Sequence, residues 1–362
     1  MSWNDNLVTV HAGMQLKDLI DVLKRLEPSL ALRNMGSVTE QTIAGAISTG
    51  THGTGLGLGA MPTQVRVLRL VDGTGTVRSL DGSSMTELRA ARLSLGMLGI
   101  ITHVTLECVP YYEVDYDVYL CDFDEIIDDI DELSEENERV LLWWHIPFFP
   151  TRKVAVVTKN RAGTGPGARL GGSLDLTDEV GPNLSKAPLL RELDDLRDAV
   201  SKVALGGECR HLLHRRGGYE DMLTIPLLPV YHRECEYAVP VEHTATALKA
   251  LRVVLDEADA ELRLPIEVRF VAADEDLLSP AHGRATCYIG VATLDNATEV
   301  FERFEPILKE FGGRPHWGKH FNATRPEIEA MYPDTFNAFV QLRRSYDPDG
   351  VFLNSLLRRL FE

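Results

Sequence analysis

Three stretches of the chain hold residue types that could do chemistry. In "LPIEVRFVA", Glu267 and Arg269 stand two apart on a run that reads as a strand, so both side chains point to one face. A carboxylate and a guanidinium on one face can hold the hydroxyls of a small polar ligand, or they can form an ordinary strand ion pair. In "RPHWGKH", His316 and Lys319 flank Trp317. That set fits a site, or a loop with a buried tryptophan and a solvated lysine. In "STGTHGTGLGLGA", Ser48 to Ala60, five glycines surround His52. A chain this rich in glycine either turns tightly or brings its backbone against a ligand.

Nucleotide-binding readings of the third stretch can be separated. A GxxxxGK[ST] loop needs a lysine for the terminal phosphates, and no lysine occurs between Lys24 and Lys153. A GxGxxG turn leads from a strand into a helix. Here Leu58 stands where the third glycine after Gly53 and Gly55 belongs. Gly55, Gly57 and Ala60 fit the looser spacing, but Pro62 and a strand-like run follow. What remains is a loop whose amide N–H groups face a pyrophosphate without a helix dipole to assist, with Ser48, Thr49, Thr51 and Thr54 as extra donors. Tight turns between sheet layers are the alternative, and His52 alone reads as a structural histidine.

Other chemistries find less support. The net charge of -17 argues against nucleic acid as a partner. Much of that charge sits in "CDFDEIIDDIDELSEENERV", where Phe123, Ile126, Ile127, Ile130 and Leu133 fall at helical spacing, so a packed helix with a solvated acidic face is expected. The cysteines, Cys108, Cys121, Cys209, Cys235 and Cys287, show no metal spacing and read as buried reduced thiols. His211, His214 and His232 have no metal-ligand spacing either, and no metal is expected. Trp143, Trp144 and His145 fit an aromatic core cluster or the lining of a sugar pocket.

The elements that must position these residues follow from periodicity. "LVTVHAG" reads as a strand, and residues 14–27 as a helix with Leu16, Leu19, Ile20, Leu23 and Leu26 on one face. "QVRVLRLVDGTGTVRSL" reads as two strands about the turn Asp72–Gly75. A helix near 84–94 and the strand "GIITHVTLECV" follow, ended by Pro110. Beyond it come the strand "YEVDYDVYL", the acidic helix, the run "LLWWHIPFF", a long loop over 161–184, the strand "ECEYAVP", a helix through Leu248, Leu251 and Leu255, and the helix "TEVFERFEPILKEF". With 362 residues, 44% hydrophobic and 25% charged, two globular domains are expected. No apolar run reaches the ~20 residues of a membrane span, and the N-terminus has no signal-peptide pattern. A cytoplasmic protein is expected.

"NMGSVTEQTIAGAISTGTHGTG" (34–55) resembles the flavin-binding segment of the sugar-lactone and alditol oxidases, within the vanillyl-alcohol-oxidase-type flavoproteins. "LSLGMLGIITHVTLECVP" (93–110), "PIEVRF" (265–270), "RPHWGKH" (314–320) and "YDPDGVFLN" (346–354) match the family in the same order, closest to bacterial L-gulono- and D-arabinono-1,4-lactone oxidases or dehydrogenases. The resemblance implies FAD as cofactor. It implies that Gly36, Ser37, Thr42, Gly45, Ala46, Ser48, Thr49, Gly50, Thr51, His52 and Gly53 line the pyrophosphate and isoalloxazine, and that Gly99, Ile100 and Ile101 lie by the adenine. It also implies that Glu267 and Arg269 meet the substrate, with Lys319 at the flavin N1–C2 edge and His316 beside it. A cation there stabilises the negative charge that reduced flavin gains, while the flavin carries the redox chemistry. Glycine at 36 is associated in the family with oxygen access.

The implied fold is α+β with two domains: an FAD-binding domain of residues 1–110 completed by 320–362, and a substrate domain of 111–319 built on an antiparallel sheet. The implied reaction is oxidation of a sugar 1,4-lactone (L-gulono-, L-galactono- or D-arabinono-), with electrons passing to O2 or an artificial acceptor. Alditols are the alternative substrates. Family members carry a further subdomain before "LVTVHAG", whose R-x-x-G-x-G-H-S loop often binds flavin covalently through histidine. No such loop occurs in residues 1–33, so non-covalent FAD, little flavin retained by the chain alone, or a non-catalytic or split form are the expectations.

Overall fold

The computed structural model of the chain describes residues 2–145, 152–165, 209–224, 231–258, 262, 264–294 and 297–362. The expected loop over 161–184 lies outside the described residues from 166 onward, as do 146–149 of "LLWWHIPFF". The N-terminal strands are β1 (Ser2–Asn4), β2 (Leu7–His11), β3 (Leu30–Ala31), β4 (Val65–Val71), β5 (Val77–Leu80), β6 (Ile100–Glu107) and β7 (Val109–Pro110). An antiparallel sheet of order β1-β2-β6-β4-β5 forms from them, and β3 pairs with β7. In β2 the alternation puts Val8 and Val10 inside. Helix Leu16–Lys24 buries Leu16, Leu19, Ile20 and Leu23, one stripe at the 3.6-residue period.

The later strands are β8 (Glu113–Asp122), β9 (Val140–Trp144), β10 (Lys153–Arg161), β11 (Arg210–Gly218), β12 (Arg233–Pro240), β13 (Ile266–Val271), β14 (Thr286–Thr293) and β15 (Arg314–Pro315). They form one antiparallel sheet of order β11-β8-β10-β9-β13-β14-β12-β15. One face is apolar: Leu142 and Trp144 of β9, Val268 and Phe270 of β13, and Tyr237 and Val239 of β12 pack with helices Thr244–Ala258 and Ala297–Glu310. Alternation then places Trp143, Leu141, Glu267, Arg269, Glu234 and Glu236 on the opposite face.

That opposite face meets the glycine-rich loop. Gly55 donates its N–H to Phe270 O at 2.7 Å and bridges Val271 in parallel. The Thr54 hydroxyl accepts from Phe270 N at 3.1 Å and donates to Val140 O. The C-terminal helices Arg325–Met331, Phe336–Tyr346 and Ser355–Phe361 pack into the first sheet's core through Ile328, Phe336, Phe339 and Phe361. Trp317 joins them, its Nε1 donating to Leu278 O at 2.6 Å.

Some local expectations change. The acidic stretch is two helices, Phe123–Asp128 and Ile130–Glu136, broken at Asp129. Its expected apolar residues are still the buried ones. Cys121 and Cys209 form a disulfide between β8 and the start of β11, which corrects the reading of all five cysteines as reduced thiols. Cys108, Cys235 and Cys287 are free and buried, and burial pushes the Cys108 and Cys287 thiols up to about 12. Among the described residues no helix is long and apolar enough to cross a membrane.

Candidate active site

A cavity of about 170 Å³ lies between the glycine-rich segment and the polar face of the eight-stranded sheet. Gly36, Ser37, Val38, Gln41, Thr51 and His52 form one wall. Glu234 and Glu236 of β12, Glu267 and Arg269 of β13, and Gly290 and Ala292 of β14 form the other, and His316 and Lys319 close one side. Gly290 pairs with Glu267 on one flank and Glu236 on the other. A strand residue with a large side chain there would fill the space between the two carboxylates.

Both oxygens of Glu267 have donors. Trp143 Nε1 lies 3.3 Å from Oε1, and an Arg269 Nη nitrogen binds Oε2. The carboxylate is therefore oriented, with its remaining lone pairs available toward the cavity. Burial opposes the Arg269 charge, but Glu267 and Glu236 outweigh it and raise the guanidinium pKa. Arg269 Nε is buried without a hydrogen-bond partner. Lys319 pairs with Glu234. Burial pulls the Lys319 ammonium down to about 8, while the adjacent carboxylate favours the charged form.

His52, Glu236 and His316 form a third group. His52 Nε2 is 3.4 Å from Glu236 Oε1, and the His52 ring stacks on Tyr288 at 3.8 Å. The His52 and His316 ring centroids are 5.4 Å apart. Burial alone would raise the Glu236 carboxyl, but His52, His316 and Arg269 hold it at about 2. Burial lowers His316 to about 4, so the ring is neutral near pH 7.

The structure therefore brings together Gly36, Ser37, Thr51, His52, Glu267, Arg269, His316 and Lys319 from the expected set. Thr42, Gly45, Ala46, Ser48 and Thr49 are instead the short helix Ile43–Ser48 and its caps; Thr42 Oγ1 accepts from Gly45 N at 3.1 Å. The stretch expected to be loop throughout is thus entered from a helix C-terminus. Gly50 follows at φ +78°. Gly53 is a close approach, since a Cβ there would stand 2.2 Å from Asn34 Oδ1 and 2.5 Å from Met35 O. Gly99, Ile100 and Ile101 lie at the start of β6 and its approach, outside the cavity lining, with Ile100 62% exposed.

Sequence reasoning missed Glu234, Glu236, Gly290 and Gln41. "ECEYAVP" was legible as a strand, and its alternation does put Glu234 and Glu236 on one face. Nothing in it says that the face is the one opposite β13. Trp143 and Trp144 divide by the same rule, one to the cavity side and one to the apolar core.

The cavity offers a ligand polar contacts and room: cations at Lys319 and Arg269, an unpartnered buried Arg269 Nε, and glycines at 36 and 290 in its walls. Comparisons with known proteins agree. Residues 2–81 match the FAD binding domain model, and residues 104–360 match the D-arabinono-1,4-lactone oxidase model. The chain is 33% identical to L-gulonolactone oxidase of Mus musculus over 371 residues, covering 98% of this chain and 81% of that protein. It is 33% identical to L-gulono-1,4-lactone dehydrogenase of Mycobacterium tuberculosis over 371 residues, with the same 98% and 81% coverage. Alditol oxidase of a Streptomyces species is 29% identical over 376 residues, again covering 98% and 81%. In fold, the chain is similar to cholesterol oxidase from B. sterolicum, with a TM-score of 0.75 at 15% identity over 98% of this chain and 81% of that one. A family model matching residues 104–360 and relatives at 33% identity over 98% of the chain make this chain a member of the D-arabinono-1,4-lactone oxidase family of FAD-dependent oxidoreductases, with an α+β fold like that of cholesterol oxidase.

Proposed function

We propose that the chain oxidises the carbinol next to the carbonyl of a sugar 1,4-lactone: L-gulono-, L-galactono- or D-arabinono-1,4-lactone. The observation that carries this reading is Glu267, held by Trp143 and Arg269 on the cavity wall. FAD, bound non-covalently along Gly36–Thr51, supplies the hydride acceptor, and O2 or an artificial acceptor takes the electrons onward. Glu267 takes the hydroxyl proton, as a positioned carboxylate can. Arg269 orients substrate oxygens through its planar donors, and Lys319 holds a cation at the cavity edge where negative charge develops.

The test is to mix FAD-loaded protein with the three lactones, with xylitol and with sorbitol, and to follow bleaching of the flavin band. Bleaching by at least one lactone at micromolar to millimolar concentration is expected. Bleaching by the alditols alone would move the chain to the second reading, an alditol oxidase, which the Streptomyces relative favours. No bleaching by any of them would sink both.

A further inference from the structure

Behind the candidate site lies a smaller cavity, of about 20 Å³, that the proposed chemistry does not use. Ser37 and Arg269 line both cavities. One wall of the smaller one comes from the segment 34–55, with Asn34 and Gly53, and the other from the eight-stranded sheet, with Arg139, Lys159 and Arg269. Strand pairing explains why three cations converge there. Arg269 of β13 stands opposite Leu141 of β9. Lys159 of β10 donates its N–H to the carbonyl of Arg139, the residue before β9, at 2.9 Å.

Arg139 is 1% exposed. Its Nη2 donates to Arg33 O at 2.8 Å and to the Tyr112 hydroxyl at 3.1 Å, and its Nη1 stands 3.0 Å from Glu138 Oε2. Its Nε is buried with no hydrogen-bond partner among the described residues, and so is Arg269 Nε. The Lys159 ammonium lies 5.1 Å from the centre of the Tyr116 ring. Glu138 and Glu267, the carboxylates paired with the two guanidiniums, are not among the residues that line this cavity, and no other carboxylate is. A buried N–H without an acceptor is costly, so such groups mark a place for a water or an ion. The volume admits one group: a water needs roughly 10–15 Å³, and a phosphate or a sugar acid is too large. A water must also place its own two protons, whereas an anion only accepts, and the charged side chains here only donate.

We propose that this cavity binds one small monovalent inorganic anion, of chloride or bromide size, through Arg139 Nε, Arg269 Nε and the Lys159 ammonium. The anion holds the Arg269 guanidinium at Nε, while an Nη nitrogen of the same plane binds Glu267 Oε2. An occupied site therefore fixes the guanidinium that orients Glu267, and substrate affinity follows halide concentration. That last link rests on the function proposed above; the anion site does not.

The test melts the full chain in sodium chloride and in sodium methanesulfonate at equal ionic strength, the second anion being too large for the cavity. A ligand of the folded state alone stabilises it by mass action, so Tm should be higher in chloride by a shift that saturates with concentration. Lys159→Met should lose that chloride-specific shift. Crystals grown in sodium bromide should show an anomalous peak between Arg139, Lys159 and Arg269. Equal melting in the two salts would overturn the proposal, as would water alone in the cavity of the bromide crystals, or a saturating chloride shift that survives in Lys159→Met. If the variant does not fold, the bromide crystals still decide. The KM of a lactone that bleaches flavin should be lower in chloride than in methanesulfonate; an equal KM would strike the link to substrate. Failure of every lactone to bleach flavin would remove the proposed function and leave the melts and the bromide peak standing.

Discussion

Glu267 acts, in our reading, through a lone pair that two donors aim into the cavity. Glu267→Gln keeps the shape and removes the base, so flavin reduction should fall about 10²–10⁴-fold with KM changed much less. Lys319 makes a separate prediction. A lysine is charged below its pKa, and burial has brought this one to about 8. The cation is therefore complete below that value and lost as pH rises through it. Lys319→Met should reduce the rate by roughly 10²–10³-fold and abolish the alkaline decline of the wild-type profile; an unchanged decline would assign it to another group. Gly290 is a third point. An added Cβ would meet Glu236 Cγ at 3.6 Å, an ordinary contact. Gly290→Val should therefore fold normally yet block the cavity, which a thermal melt and a lactone titration would show together.

At the scale of elements, the β4–β5 hairpin is held by one side chain. Asp72 Oδ1 accepts from Thr74 N at 2.9 Å and Thr76 N at 3.0 Å, and Oδ2 accepts from Arg78 at 2.6 Å. Burial would raise its pKa, but those bonds and the Thr74 hydroxyl hold it at about 2, below the ordinary 3.8. A depressed carboxylate stabilises the fold above its unfolded pKa, and that stability is lost as pH falls through about 2. Asp72→Ala should cost about 2 kcal/mol at neutral pH, measurable by urea unfolding, and should flatten the acid limb of stability. This turn was legible because its residues are local. Strand β11, "RHLLHRRGG", was not: it is an edge strand without an apolar alternation. His211 and His214, which had no readable partner in the sequence, both meet Asp117 Oδ1 of β8 at 2.9 Å.

At the scale of the whole molecule, the glycine-rich segment faces the eight-stranded sheet across the cavity, and the C-terminal helices complete the first core. Phe361 stacks near Phe336 at 5.5 Å, with Trp317 at 6.1 Å. Phe361→Ala should cost about 3–5 kcal/mol and loosen Trp317, which carries the loop bearing His316 and Lys319. A blue-shifted tryptophan emission that stays unchanged in the variant would argue against that link. The Cys121–Cys209 disulfide closes a span of 88 residues. Reduction should lower stability by about 2–5 kcal/mol, seen as a lower Tm with dithiothreitol and none of that shift in a Cys121→Ser, Cys209→Ser variant.

The sequence by itself determined the local elements, because periodicity, turn residues and glycine act over a few positions. It also placed Glu267 with Arg269 on one face, and through its motifs it carried the family and the FAD-binding segment. Only the tertiary structure decided what stands opposite them. Glu234 and Glu236 lie some thirty residues before Glu267 in the chain, and Gly290 more than twenty after it. They become neighbours because β13, β14 and β12 pair side by side, an outcome set by long-range strand order that short-range pattern does not encode. The same holds for His52. Its place beside Glu236 depends on the glycine-rich loop docking on β13 through Thr54 and Gly55, a contact spanning more than two hundred residues.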